Sequence, residues 1–112
     1  MVLYTCPKGT RKEGKKMIML DITERKFKDH PYAQASVIEN IWGEKALKSY
    51  NTIVIEIDSE GWLKVNGLYS MTTIRHIGWF MRELGFTYQL AKQLYNDQKE
   101  FNIYTGEVID RD

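Results

Sequence analysis

Residues 67 to 88 read "GLYSMTTIRHIGWFMRELGFTY" and gather more reactive side-chain types than any other stretch of the 112-residue chain. Three hydroxyls, Ser70, Thr72 and Thr73, precede Arg75 and His76. A hydroxyl beside an imidazole is the raw material of a hydrolase, in which His76 would activate Ser70 as nucleophile. The surrounding pattern argues against it. Ser70 and His76 lie six residues apart across a helix start, no acidic residue lies nearby in sequence to orient the imidazole, and no glycine-rich elbow surrounds the serine. Both residues therefore read as mainly structural, with Thr72 or Thr73 as the favoured cap and His76 as a border histidine that hydrogen-bonds a sheet. A small hydrolase stays as a third hypothesis behind two binding readings.

Other chemistry finds less support. The soft metal ligands Cys6, His30 and His76 include no close pair at zinc spacing. "DSEG" at Asp58 shares the start of a calcium loop without its later ligands. "GLYSMTT" has neither the second glycine nor the lysine of a phosphate loop. The expectation is a protein with no catalytic residues, no metal and no cofactor.

Binding chemistry is better represented. Arg75 and Arg82 lie at i−4 and i+3 from Trp79, so all three share one outer face of a helix. An indole between guanidinium groups is a composition that binding hot spots favour. The competing reading buries Trp79 against a second helix, under Tyr88 and Tyr95. A second cationic group, Lys8, Arg11, Lys12, Lys15 and Lys16, sits in a loop over 7–16 and offers salt-dependent phosphate contacts. It lacks interleaved aromatics for base stacking. Residues 1–30 hold eight Lys or Arg against four Asp or Glu, and residues 31–112 hold eight against eleven, so a +4 segment precedes a −3 remainder. Such a split suits an arm that meets phosphate or an acidic surface, though a solvated loop is its commoner cause.

The elements that must position these residues follow from periodicity. "VLYTC" and "KMIMLDI" read as a ragged strand pair around the basic loop, and "TERKFKDHPYA" shows little period, with Pro31 opposing a helix through His30. Residues 35–66 read as a three-stranded antiparallel meander: "ASVIENIW", a two-residue turn at Gly43–Glu44, "KALKSYNTIVIEID", a short loop at Ser59–Gly61, and "WLKVNG". Ile53, Ile55 and Ile57 should face the core, with Val54 and Glu56 opposite. Past Gly67, the residues Ile74, Ile77, Phe80, Met81 and Leu84 fall within an arc of about 120° on a helix. Ser70, Thr72 or Thr73 can cap that helix and Gly85 can end it. Thr87 can cap a second helix carrying Leu90, Ala91, Leu94 and Tyr95 on one face, so 71–96 forms a helical pair. "FNIYTGEVI" can add one or two strands. The fold class is α+β, an antiparallel sheet with two C-terminal helices on one face.

One domain suits this length, which buries roughly two-thirds of the unfolded chain's surface. With one cysteine there is no internal disulfide. No apolar run approaches the roughly 20 residues of a membrane helix, and the N-terminal apolar run precedes the charges, opposite to a secretory signal. A cytoplasmic protein with no membrane partner is the expectation.

Residues 46–85, "ALKSYNTIVIEIDSEGWLKVNGLYSMTTIRHIGWFMRELG", resemble a group of small, mostly uncharacterised proteins of phages, prophages and related mobile elements. The likeness lies in the "SY" strand, the turn before "WLKVNG", and "LYSMTTIRH" opening a helix. The resemblance implies an accessory protein that works by binding in the host cytoplasm, for example by blocking a host defence nuclease in the manner of an anti-CRISPR. The favoured function is thus non-enzymatic binding of a protein or nucleoprotein complex through Arg75, Trp79 and Arg82. The alternative is direct nucleic-acid binding through the basic loop.

Overall fold

The computed structural model describes residues 22–111. Seven strands and two helices follow one another as β1 (Ile22–Lys26), β2 (Ala35–Asn40), β3 (Lys45–Ser49), β4 (Thr52–Ile57), β5 (Trp62–Val65), α1 (Met71–Glu83), α2 (Tyr88–Asp97), β6 (Lys99–Asn102) and β7 (Val108–Asp110). The strands form one sheet in sequence order, each antiparallel to its neighbours. This is the α+β architecture expected from the sequence. Both strands of the expected N-terminal pair, apart from Ile22, and the basic loop with Lys8, Arg11, Lys12, Lys15 and Lys16 lie outside the described residues.

Residues 35–66 hold four strands rather than three. "KALKSYNTIVIEID" is a hairpin folded at Tyr50–Asn51, because Ser49 pairs directly with Thr52. The reversal has no glycine to announce it, and Tyr50 takes it with φ 58°. The expected two-residue turn at Gly43–Glu44 is a three-residue loop, Ile41–Gly43. The Asn40 N–H donates to the Glu44 carbonyl at 3.2 Å, and Gly43 supplies the positive φ of 86°. The short glycine loop at Ser59–Gly61 is present, closed by the Asp58 N–H on the Trp62 carbonyl.

The cross-strand row Val37, Leu47, Ile55, Val65 runs through the middle of the helix-covered face. Every member is fully buried. The isoleucine row is broken at its start. Pairing slips between Leu47 and Lys48, so that Ile55 faces Leu47 while Ile53 faces Lys48 and Val54 is the extra residue of a bulge. A bulge changes side-chain parity. Val54 is consequently buried in the core with Ile55 and Ile57, and Ile53 is only half-buried.

Both helices lie on that face, α1 against β3 and α2 against β5 and β6. Ser70 caps α1, its hydroxyl accepting from the Thr73 N–H at 3.2 Å. At the other end Phe86 N–H bonds the Met81 carbonyl and Gly85 N–H the Arg82 carbonyl, with Gly85 at φ 92°. That pair of bonds is a Schellman ending. The buried positions of α1 are Thr73, His76, Ile77, Phe80 and Met81. The stripe is rotated from the expected one: Ile74 is only half-buried, and the polar Thr73 and His76 take the inward positions because a hydroxyl of the sheet meets them.

Candidate interaction surface

The hydroxyl that meets His76 is Ser49, at the end of β3. Its Oγ lies 2.8 Å from His76 Nδ1 and 3.0 Å from Thr73 Oγ1. Ser70, the sequence candidate for a nucleophile, instead donates to Thr73 Oγ1 at 3.3 Å and caps the helix. His76 and Ser49 are each about 2 % exposed. Burial pushes the His76 pKa below its ordinary value, and the charges of Arg75, His30 and Lys26 act in the same direction. A serine beside a neutral imidazole looks like half of a triad. Here no substrate can reach either atom, and no carboxylate among the described residues bonds the ring. The trio locks the start of α1 onto β3, a satisfied polar cluster inside a core.

Outward from His76 the rings continue. Its centroid lies 5.2 Å from Trp79, which stacks on His30 at 3.7 Å with 5° between planes and meets Phe27 edge-on at 5.6 Å. Trp79 is thus neither free at the surface nor covered by Tyr88 and Tyr95. It is half-buried, clamped by the segment that follows β1. Phe27 to His30 form one wall of an open groove, and Trp79, Arg82 and Glu83 the other. Arg75 and Arg82 are exposed, and among the described residues neither makes an ion pair. Arg25 contrasts with them: it donates to both Glu83 carboxylate oxygens, at 2.9 and 3.3 Å, and to Glu39, tying β1 and β2 to α1. The Glu83 hydrogen bond is the largest influence holding the Arg25 pKa above its ordinary value.

Sequence reasoning missed a group of tyrosines at this end of the sheet. Tyr32 in the β1–β2 loop is 95 % exposed, Tyr50 in the β3–β4 turn 50 %, and Tyr69 before α1 63 %. Tyr50 and Tyr69 both hold positive φ, 58° and 51°. The Tyr50 N–H bonds the Gln34 carbonyl at 2.7 Å, and its ring lies 5.9 Å from His76. The Tyr69 ring lies over Gly67, where an added Cβ would meet it at 2.6 Å. The four residues "SYNT" form the turn that exposes Tyr50, and the polar Ser49, Asn51 and Thr52 around it are the local signal for that turn.

Residues 22–102 match the family model DUF8033, a family of unknown function. The chain belongs to that family. The DUF8033 match starts at the first residue of β1 and ends at the last of β6, so it takes in the Ser49–Thr73–His76 cluster, the groove and the three tyrosines. The basic loop precedes it. No curated protein and no solved structure matches the chain. Among the described residues no three His, Cys, Asp or Glu side chains are grouped to hold a metal ion, and no helix is long and apolar enough to cross a membrane.

Proposed function

We propose that this DUF8033 protein acts by binding a macromolecule, a protein or a nucleoprotein complex, through the face of α1 that carries Arg75, Trp79 and Arg82. The observation that carries the reading is the clamped indole. Stacking on His30 and the edge contact with Phe27 fix the Trp79 ring before any partner arrives, which lowers the ordering cost of association. Two arginines without ion-pair partners among the described residues flank it. In the setting implied by the resemblance to phage and mobile-element proteins, the partner is a host component in the cytoplasm, with a defence nuclease as the leading class.

The arginines make the cleaner test, because Trp79→Ala would also remove the contacts that hold residues 27 to 30. Capture from a host lysate is compared for the wild type and for Arg75→Ala/Arg82→Ala, with bound species identified by mass spectrometry. The expected result is a species enriched by the wild type and lost by roughly tenfold or more in the double variant, as truncation of hot-spot arginines produces. The melting temperature should hardly change, since exposed charges contribute little stability. Equal capture by both proteins contradicts the reading.

A further inference from the structure

Antiparallel order puts the β1–β2 loop, the β3–β4 turn and the lead from β5 into α1 at one end of the sheet. Tyr32, Tyr50 and Tyr69 therefore lie on three connections at that end, which stand side by side because neighbouring strands are about 5 Å apart. Gln34, Asn51 and Ser70 are polar residues of the same connections. A protein interface centres on a contiguous desolvated patch. Isolated rings with polar surroundings instead suit flat bases, each of which has a π-face to stack. Lys28 and Arg82 line the groove beside the β1–β2 loop and Arg75 lies nearer the start of α1; none of them makes an ion pair among the described residues, and the first turn of α1 has no acidic residue. Asp29 and Glu83 are the acidic side chains of that groove, Glu83 being paired with Arg25.

We infer that this end of the sheet binds single-stranded nucleic acid, with bases stacked on Tyr32, Tyr50 and Tyr69 and phosphates met by Lys28, Arg75 and Arg82. The inference names a chemistry for the nucleoprotein side of the binding reading above and rests on it. A duplex keeps its bases stacked on one another and leaves nothing for the rings. The backbone agrees with a ligand role for the tyrosines: two of the three stand at positive φ, where glycine would fit at lower cost.

The test is fluorescence anisotropy of the full chain with labelled oligothymidylate and oligouridylate of about 20 nucleotides, and with a duplex of the same length, at low and moderate salt. Single strands are expected to bind about tenfold or more tighter than duplex, and the affinity should fall with salt. Tyr32→Ala, Tyr50→Gly and Tyr69→Gly should each weaken binding by roughly 5- to 100-fold. The ratio of the two single strands separates a DNA ligand from an RNA ligand. Tyr32→Ala keeps the test valid if a turn variant fails to fold, because that ring is 95 % exposed. The inference is overturned if the wild type binds neither single strand at low salt, or if the tyrosine variants bind like wild type. Binding that only Lys12→Ala/Lys15→Ala/Lys16→Ala abolishes also overturns it and moves the contact to the basic loop. If single strands fail while Arg75→Ala/Arg82→Ala still loses a captured protein, this inference falls and the binding reading stands.

Discussion

At the end of the sheet holding the β2–β3, β4–β5 and β6–β7 hairpins, every reversal is built from the same two devices. A side-chain oxygen of Asn40, Asp58 or Asn102 accepts backbone N–H groups of its own loop. Gly43, Gly61 or Gly106 then takes the positive φ that turns the chain. Even the wording recurs, as "NIWGE" at 40–44 and "NIYTGE" at 102–107. At the opposite end the positive-φ positions belong to Tyr50, Tyr69 and Gln98, none of them glycine. A left-handed backbone costs a non-glycine residue roughly 1–2 kcal/mol. Exposed rings stand at both ends, Trp42 and Tyr104 among the glycine turns and Tyr32, Tyr50 and Tyr69 opposite, but only at the second end do rings occupy positive-φ positions that glycine takes at the first.

The largest expected effect lies at the glycine end. Asn102 accepts from Tyr104 and Thr105 and donates to the Glu60 carbonyl at 3.1 Å, so one buried side chain joins two loops. Asn102→Ala should lower stability by about 2–3 kcal/mol in urea denaturation, since three bonds made by one buried side chain vanish together.

A pH titration probes the support of the tyrosine end. The folded His76 pKa is depressed below the unfolded value of about 6.5. The unfolded chain therefore takes up the proton first as pH falls. Stability should be flat above about pH 6.5 and decline below it, by at most about 1.4 kcal/mol per pH unit. His76→Gln should be less stable near neutrality and lose that slope between about pH 6.5 and 5. An unchanged slope would mean that His76 does not couple folding to protons.

Gly43→Ala should cost about 1 kcal/mol by urea denaturation, because φ is 86° and an added Cβ meets nothing within 4 Å. The penalty is then backbone strain alone. Tyr50→Gly is the mirror experiment and should shift stability least, because relief of strain offsets the lost ring contacts and the added chain entropy.

Local signals made much of this legible. The Gly85 ending, the inward row of α2 and the Ser59–Gly61 loop all depend on residues adjacent in sequence, and so does the hydroxyl cap of α1, which Ser70 supplies rather than Thr72 or Thr73. What failed depends on partners far away or on an unmarked local choice. The bulge at Val54 undid strict alternation, which cannot be read from "NTIVIEI" alone. The Tyr50 turn was hidden inside a strand-like run because it lacks glycine. Strand β1 was hidden too, since its residues after Ile22 are exposed on the strand and show no apolar alternation. Trp79 reads from the sequence as an outer-face contact or as covered by Tyr88 and Tyr95, and it is neither, because His30 and Phe27, which clamp it, lie about fifty residues earlier. For the same reason the sequence points to a sheet-bonded histidine at His76 without showing its partner, Ser49.

The contrast between the two ends is tested most directly by the unfolding free energy of the Tyr50→Gly/Tyr69→Gly double variant, measured in urea beside the wild type. If the tyrosines stand there for their exposed rings, the variant should lie within about 1 kcal/mol of wild type, strain relief offsetting lost packing and added chain entropy. A loss of about 3 kcal/mol or more, the scale of a damaged core, would contradict the account and make both tyrosines props of the fold.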